Sequence, residues 1–343
     1  MLRAADIEKI RYKNLELATS LLVRAALARG ITVEVLPDKL VRLKKGSTTQ
    51  YIMGRSLPCN SVIDRAIANN KYLTHHILRT VGIPTPRSIL LRNPGAWKHL
   101  LSSARLTFPM VVKPTTGSHG LGSTMNIREV SVLHRAVERA FNYMKKKEDQ
   151  KRVLVEEYFE GGHDLRILVV GGKVISVVER DPAHVIGDGI KTIRQLMDEF
   201  NHEWKTKIDY DLPLCPIPLD AETTRRLKSQ NLTLASIPQK DQKIYMRWNA
   251  NVSMGGRSIE RTDEVSKEIK ALAVRCAELI GLKVTGVDIL ARDFTSSDIS
   301  AKNLTVLELN HAPGFDINQV PYQGTGRDVA GVIIDLLFAN TSA

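Results

Sequence analysis

A lysine that ends an apolar segment, followed at once by a glycine-rich loop, is the first group of residues that could do chemistry. The segment PMVVKP contains Lys113, and TTGSHGLG comes directly after it. Glycines let backbone N–H groups approach phosphate oxygens, and lysine adds a point charge. The order differs from the phosphate loop GxxxxGK[ST], because Lys113 precedes the glycines and no helix follows them. Taken alone, the pattern fits a phosphate-binding loop and a plain hairpin loop equally well.

Three oxygen-bearing side chains form the second group, in two apolar segments of the C-terminal third. Asp288 lies in TGVDIL, and Glu308 and Asn310 lie in VLELN. Alternation along a strand puts Glu308 and Asn310 on the same face. Buried acids are costly unless a cation compensates them, and two carboxylates plus an amide oxygen suit Mg²⁺. Each residue would equally fit a strand end exposed to water.

The third group is VLVEEYFEGGHDLR, where an apolar strand runs into acidic residues and a turn. Adenine is commonly held by an apolar slot and backbone groups, and a carboxylate can accept hydrogen bonds from ribose hydroxyls. Glu156, Glu157 and Asp164 fit these tasks, although solvent-facing charges would look the same.

The net charge of +12 over 343 residues calls for an anionic partner. Nucleic acid is the first guess, but aromatic residues make up only 5% and none interleaves with a basic stripe. A site that gathers a nucleotide and an acidic substrate explains part of the charge equally well. The three cysteines lie far apart without a C-x-x-C spacing, which argues against disulfides and a zinc site. No signal peptide or apolar run of eighteen residues occurs, so we expect a cytoplasmic protein without a membrane partner.

The elements that must position these residues mix helices and strands along the whole chain. The periodicity predicts a helix over about residues 5 to 29, a hairpin over Ile31 to Met53 and a helix through Asn60 to Thr80. The prolines of GIPTP mark a lobe boundary. An α+β protein of several lobes fits this order better than a doubly wound sheet.

The order of the three groups resembles the ATP-grasp carboxylate-amine ligases, and within them the ligase domains of cyanophycin synthetase and bifunctional glutathione synthetase. The strings NNKYLTHHILRTVGIPTP, FPMVVKPTTGSHGLGS, GDGIKTI, NVSMGG and RTDEV carry the likeness, together with GVDIL and LELNHAPGF. It runs from about Gly30 to the end. The resemblance implies an ATP-grasp fold, in which two α+β lobes grip ATP, with a short N-terminal α/β lobe. It divides the chain into an N-terminal lobe (1–85), a central lid subdomain with the glycine-rich loop (86–155) and a C-terminal subdomain with the metal site (156–343).

The resemblance also implies a role for each matching residue. Two lysines and a glycine-rich loop that is expected to be mobile would bind the ATP phosphates. These residues are Lys71, Lys113, Thr115, Gly117, Ser118, His119, Gly120 and Gly122. Those expected around adenine and ribose are Glu156, Glu157, Tyr158, Phe159 and Asp164. The expected ligands of Mg²⁺, with Mn²⁺ as a possible substitute, are Asp288, Glu308 and Asn310. Those expected around the transferring phosphoryl group and the acyl oxygen are Arg247, Asn251 and Arg257, assisted by Arg166. His75 and His76 are expected to be structural.

The implied activity is ATP-dependent ligation of an amino-acid or peptide carboxylate to an amine through an acyl phosphate. The chain has no room for the further domains of the two resembled enzymes, so we expect a stand-alone ligase module whose substrates cannot be carried over. Related ligases commonly pair, which makes a homo-oligomer possible. Two alternatives remain: an ATP-grasp phosphotransferase that stops at phosphate transfer to a hydroxyl, and a nucleotide-binding regulatory protein without turnover.

Overall fold

The N-terminal elements of the computed structural model are one apolar helix and a three-stranded antiparallel sheet. The model describes residues 9–98, 106–116, 121–144, 152–204 and 214–339. Helix α1 (Leu17–Ala28) is followed by strands β1 (Thr32–Val35), β2 (Leu40–Lys45) and β3 (Thr48–Met53). Helix α1 is apolar on most of its surface and packs in a shared core with this sheet and with the last helix of the chain.

Two predictions for this region are wrong: the extent of the first helix and the number of strands that follow it. A helix does not run through residues 11–16, because Lys13 adopts a φ of 52° and the Arg24 guanidinium donates hydrogen bonds to the carbonyls of Lys9 and Arg11. These bonds satisfy carbonyl groups that a helix end leaves free. The predicted hairpin is a three-stranded sheet, since the segment between its two strands forms β2.

The predicted helix over Asn60 to Thr80 is two helices, α2 (Val62–Asn69) and α3 (Lys71–Thr80). Asn70 separates them because its backbone is extended, with φ −106° and ψ 95°. Its side chain accepts a hydrogen bond from the backbone N–H of Leu73 and so caps α3. This break makes Lys71 the first residue of α3.

The central sheet has the order β4-β7-β5-β6, and every neighbouring pair is antiparallel. Its strands are β4 (Ser88–Leu91), β5 (Met110–Pro114), β6 (Thr124–Ile127) and β7 (Val153–Glu157). Helix α4 (Val130–Met144) packs against the sheet through a buried apolar stripe. The predicted boundary between residues 155 and 156 divides β7, and the division into lobes stays a prediction.

The C-terminal sheet has five antiparallel strands in the order β12-β9-β8-β13-β14. Its strands and the helix that covers one face are β8 (His163–Val170), β9 (Lys173–Asp181), β12 (Arg257–Glu260), β13 (Val284–Ala291), β14 (Leu304–Asn310) and α7 (Lys267–Ile280). The elements outside this sheet are β10 (His184–Ile186), α5 (Ile193–Trp204), α6 (Ala221–Lys228), β11 (Lys243–Tyr245), α8 (Asp316–Gln319) and α9 (Val329–Leu337). The mixture of helices and antiparallel sheets confirms the α+β prediction. Every helix within the described ranges is too short or too polar to span a bilayer.

Candidate active site

A cleft of about 650 Å³ is lined by side chains from both large sheets. This volume is in the range of small-molecule sites. The predicted residues that line it are Lys71, Lys113, Glu156, Glu157, Tyr158, Phe159, Asp164, Arg247, Asn251, Asp288 and Glu308. The fold therefore brings all three groups of the sequence into one place.

The remaining predicted residues do not line the cleft or are not described. Thr115, Gly122, Arg166, Arg257 and Asn310 are not among the lining residues. The four loop residues outside the described part of the chain are Gly117, Ser118, His119 and Gly120.

The structure explains the residue types at the two described ends of the glycine-rich loop, Thr115 and Gly122. The backbone N–H and the hydroxyl of Thr115 both donate to the carbonyl of Arg152 at 3.1 Å, which fixes the end of β5. Gly122 has a φ of 75°, and a Cβ there would lie 2.9 Å from the ring of Tyr143. Only glycine fits this position without displacing the ring.

Two lysines pair with two carboxylates in the cleft. The Nζ atom of Lys113 lies 2.7 Å from Oε2 of Glu156, and the Nζ atom of Lys71 lies 3.0 Å from Oε2 of Glu308. Burial would raise the pKa of Glu308, but the charges of Lys71 and Lys113 outweigh it and hold that pKa well below its usual range. Glu308 is therefore ionised at neutral pH and able to bind a cation.

A row of charged residues crosses the C-terminal sheet, because Glu308, Asp288 and Arg166 are direct neighbours on β14, β13 and β8. Arg166 binds both oxygens of Asp288, with a distance of 2.9 Å between Nη2 and Oδ2. Arg180 on β9 also donates to Oδ2 of Asp288 at 2.9 Å, and its Nε donates to Asp164 at 2.9 Å. Asp288 thus has both oxygens engaged by arginines, a setting that the sequence did not predict.

Replacing Asp288 by alanine should destabilise the protein strongly. Asp288 is 2% exposed, and its loss removes the ion-pair partner of the buried Arg166. Removing one partner of a buried ion pair costs about 3–5 kcal/mol. Urea denaturation should show this loss, while Asp263→Ala, which breaks the surface pair with Arg327, should cost at most about 1 kcal/mol. Equal stability of the two variants would contradict the structural role of Asp288.

Glu308 and Asn310 lie on the same face of β14, with 3.5 Å between Nδ2 of Asn310 and Oε1 of Glu308. This confirms the alternation predicted for the strand. Carboxylate and amide oxygens are hard ligands that Mg²⁺ accepts together with water and phosphate oxygens. Within the described ranges, no cluster of three or more His, Cys, Asp or Glu side chains is arranged to hold a metal ion by itself. The oxygen atoms of Glu308 and Asn310 fit the ligand preference of such an ion, and the assignment of individual ligands stays a prediction.

Arg247 lines the cleft with its charge already compensated. It is 4% exposed, its Nη1 lies 3.0 Å from Asp220 and its Nη2 lies 2.6 Å from Glu222. Asn251 begins a tight loop, in which its carbonyl accepts from the N–H of Gly256 at 3.1 Å. A Cβ on Gly256 would lie 2.5 Å from a backbone oxygen, so the loop requires glycine. The predicted catalytic roles of Arg247 and Asn251 stay predictions.

Arg257 does not line the cleft, and its guanidinium group contacts His184 and two aromatic rings instead. One of its guanidinium nitrogens donates to Nε2 of His184, and the other donates to the His184 carbonyl at 3.1 Å. The rings of Phe200 and Tyr322 flank the guanidinium at 5.1 and 5.4 Å. This setting stabilises the packing between β12 and β10, and the catalytic role predicted for Arg257 gains no support from it.

The His184 imidazole should make stability depend on pH. Burial and the charge of Arg257 lower its pKa from 6.5 to about 4, so it stays neutral in the folded chain while it gains a proton in the unfolded chain. Stability is then lost as pH falls from 6.5 towards 4, by about 2 kcal/mol at pH 5. Denaturation at pH 7 and pH 5 should show a smaller loss for His184→Gln than for the parent. The exposed His134→Gln serves as control, and an unchanged pH dependence in His184→Gln would contradict the account.

Helix α6 supplies two arginines that the sequence analysis missed. Arg225 donates to the carbonyls of Met125 and Asn126 on β6 at 2.6 and 3.3 Å and stacks on Trp248, 4.1 Å from the ring centroid. Arg226 lines the cleft 5.2 Å from the same ring. Helix α6 therefore links the C-terminal part of the chain to the central sheet at the edge of the cleft. The only signal in the sequence was the pair RR in a polar segment, which by itself indicates a solvated helix face.

Two antiparallel sheets that share a cleft, with lysines opposite acidic strands, define the class of this protein as an ATP-grasp fold. The bifunctional glutathione synthetase of Pasteurella multocida is similar to it with a TM-score of 0.68 and 31% identity, over 95% of this chain and 44% of that chain. The chain belongs to the RimK-like ATP-grasp family, whose domain model matches residues 68–184 and 234–337. A model of an ATP-grasp-like domain matches residues 13–55.

Curated relatives show the same likeness over nearly the whole chain. The cyanophycin synthetase of Trichormus variabilis is 34% identical over 331 residues, which cover 96% of this chain and 36% of that protein. The bifunctional glutathione biosynthesis protein of Clostridium perfringens is 33% identical over 341 residues, covering 97% and 42%. The chain thus spans less than half the length of these relatives. The predicted membership in the ATP-grasp ligases and the likeness to cyanophycin synthetase are confirmed.

Proposed function

We propose that this chain binds ATP in the cleft and uses it to activate a carboxylate for attack by an amine. An oxygen of the carboxylate attacks the γ-phosphorus, the bond to ADP breaks, and an acyl phosphate forms. The amine nitrogen then attacks the acyl carbon, phosphate leaves with the bonding electron pair, and the nitrogen loses a proton. The products are an amide, ADP and phosphate.

The arrangement of Lys113 and Lys71 in one cleft with Glu308 is the observation that carries this proposal. The two ammonium groups offer fixed positive charge for a triphosphate, and positioning with electrostatics supplies most of the rate in phosphoryl transfer. Both ammonium groups already contact carboxylates, at 2.7 and 3.0 Å, so they are held in place before a nucleotide binds. The pair Lys71–Glu308 would open when phosphates and their counter-ion take over these contacts.

The other predicted residues in and beside the cleft have tasks that fit the same reaction. Glu308 and Asn310 would hold Mg²⁺, which when bound offsets the negative charge of the phosphates. Tyr158 and Phe159 line the cleft directly after β7 and offer an apolar wall for adenine, with Asp164 nearby for the ribose.

The test is a phosphate-release screen with ATP and Mg²⁺ against a panel of amino acids and short peptides as acids and amines. The net charge of +12 makes aspartyl and glutamyl compounds the first acids to include. We expect equal amounts of ADP and phosphate, and a product whose mass is the sum of acid and amine less one water. ADP without free phosphate would indicate a phosphotransferase. Nucleotide binding without turnover across the panel would contradict the ligase and favour a regulatory protein.

A further inference from the structure

His75 is fully buried in α3 and connects three elements of the cleft. Its Nε2 lies 2.7 Å from the carbonyl oxygen of Leu307 on β14, and its Nδ1 lies 3.4 Å from Oε1 of Glu156 on β7. The other oxygen of Glu156 contacts Lys113 at 2.7 Å. His75 therefore lies directly behind the carboxylate that holds a phosphate-binding lysine.

The hydrogen bonds around His75 are incomplete unless it pairs with Glu156. The Leu307 carbonyl can only accept, so Nε2 carries a proton. Nδ1 of His75 and Oε1 of Glu156 are both buried and have no other hydrogen-bond partner among the described residues. Buried polar atoms are costly to leave without a partner, so the contact at 3.4 Å ties the imidazole to the carboxylate. Each of these two atoms therefore has the other as its nearest polar neighbour, and the imidazole limits the rotation of the Glu156 carboxylate.

His75 also lies close to the second lysine and to the acidic strand. It is one helical turn after Lys71, so the two side chains share a face of α3. Its partner Leu307 directly precedes Glu308, the partner of Lys71. One buried imidazole thus fixes α3, β7 and β14 relative to one another at the end of the cleft where both ammonium groups lie.

We propose that His75 is a positioning residue of the nucleotide site, acting on the triphosphate through Glu156 and Lys113. This inference rests on the proposed binding of ATP and adds a residue that touches no part of the nucleotide. A lysine side chain has a flexible four-carbon stem, so its affinity for phosphate depends on how firmly its ammonium group is held. Without His75, the Glu156 carboxylate rotates freely and Lys113 loses its fixed position.

Two variants separate the two contacts of His75. His75→Gln keeps an amide N–H within reach of the Leu307 carbonyl but gives up the contact with Glu156. His75→Asn keeps an amide near the position of Nδ1, facing Glu156, and gives up Leu307. Calorimetry with ATP and Mg²⁺ should show about tenfold weaker binding for His75→Gln, the loss expected for one hydrogen bond to a charged group, and near-parental binding for His75→Asn.

Thr74→Val is the matched control for a general loss of packing. Thr74 is equally buried on the same helix, and its hydroxyl donates to the carbonyl of Ile67 at 2.9 Å without touching Glu156. Thr74→Val should lower the thermal midpoint of unfolding about as much as His75→Gln does, and it should leave the affinity for ATP unchanged. Because His75 acts through Lys113, His75→Gln should add no further loss in a Lys113→Ala background.

Parental affinity in His75→Gln, equal losses in the Gln and Asn variants, or full additivity with Lys113→Ala would each overturn the inference while leaving the proposed function intact. A parent protein that binds no ATP would instead refute the proposed function, and the inference with it.

Discussion

Glu308→Gln should reduce magnesium-dependent phosphate release by about 10²- to 10³-fold. The glutamine keeps the size of the side chain but removes the charge that is proposed to hold a divalent cation and that Lys71 neutralises at 3.0 Å. Activity should be measured over a range of Mg²⁺ concentrations, with the acid and amine found by the screen. The variant should require more Mg²⁺ for half-maximal rate as well as showing a lower maximum.

The fold should survive this substitution, because the glutamine amide oxygen can still accept from Lys71, although losing the charge that Lys71 and Lys113 stabilise should lower stability to some extent. Glu34→Gln is the matched control, since it removes an exposed carboxylate that pairs with Arg42 and does not line the cleft. It should behave as the parent in both rate and Mg²⁺ dependence. A Glu308→Gln variant with parental activity would remove the metal assignment.

Lys113→Ala should weaken the binding of ATP by about 10- to 100-fold, the range expected for losing a charge-assisted contact. The structure adds a second effect, because Glu156 is 2% exposed and, in the described part of the chain, its side chain would keep only the contact with His75. Some loss of stability should therefore accompany the loss of affinity. Calorimetry with ATP and Mg²⁺ gives the affinity, and urea denaturation gives the stability.

Lys113→Gln separates these two effects. Its amide can still donate to Glu156, so stability should recover, while the absent charge leaves the affinity for ATP low. Lys302→Ala, which removes an exposed lysine from a turn, is the control for net charge. An affinity of Lys113→Gln equal to that of the parent would contradict the phosphate role of Lys113.

The sequence predicted the cleft well where the signal is local. Lys113 ends a strand before a glycine-rich loop, and Asp288, Glu308 and Asn310 stand out as polar residues in apolar strands. Alternation along β14 then placed Glu308 and Asn310 on one face, as the structure shows. These features need only the period of a strand and the chemistry of a side chain, whereas the resemblance to the ATP-grasp ligases is what joined the three groups into one expected site.

What the sequence could not predict depends on which strands become neighbours. In the sequence, Asp288 is an acid in an apolar strand that needs a compensating cation, and a metal ion was the predicted partner. The register of β8, β9 and β13 instead places Arg166 and Arg180 against it. Arg180 is itself a charge in an apolar strand, so the argument used for Asp288 would also have singled it out. The carboxylates that compensate Arg247 are Asp220, which caps α6, and Glu222 in its first turn, more than twenty residues earlier, and no local pattern links them to Arg247.

The break at Asn70 shows how one residue can change the account of a site. A helix running through 60 to 80 would place Lys71 in mid-helix, where its backbone N–H belongs to the helix itself. In the structure Lys71 begins α3, and its backbone N–H donates to the carbonyl of Thr115 at 3.2 Å. The start of α3 is thereby joined to the end of β5, and both lysines proposed to bind phosphate come from this junction.

Transfer of oxygen from the acid to phosphate is the most direct test of carboxylate activation. The acid found by the screen should be prepared with ¹⁸O in its carboxylate and incubated with ATP, Mg²⁺ and the amine. If an acyl phosphate forms, one labelled oxygen leaves with the phosphate, and mass spectrometry of the released phosphate will show a gain of about two mass units. Released phosphate without the label would contradict carboxylate activation by phosphoryl transfer.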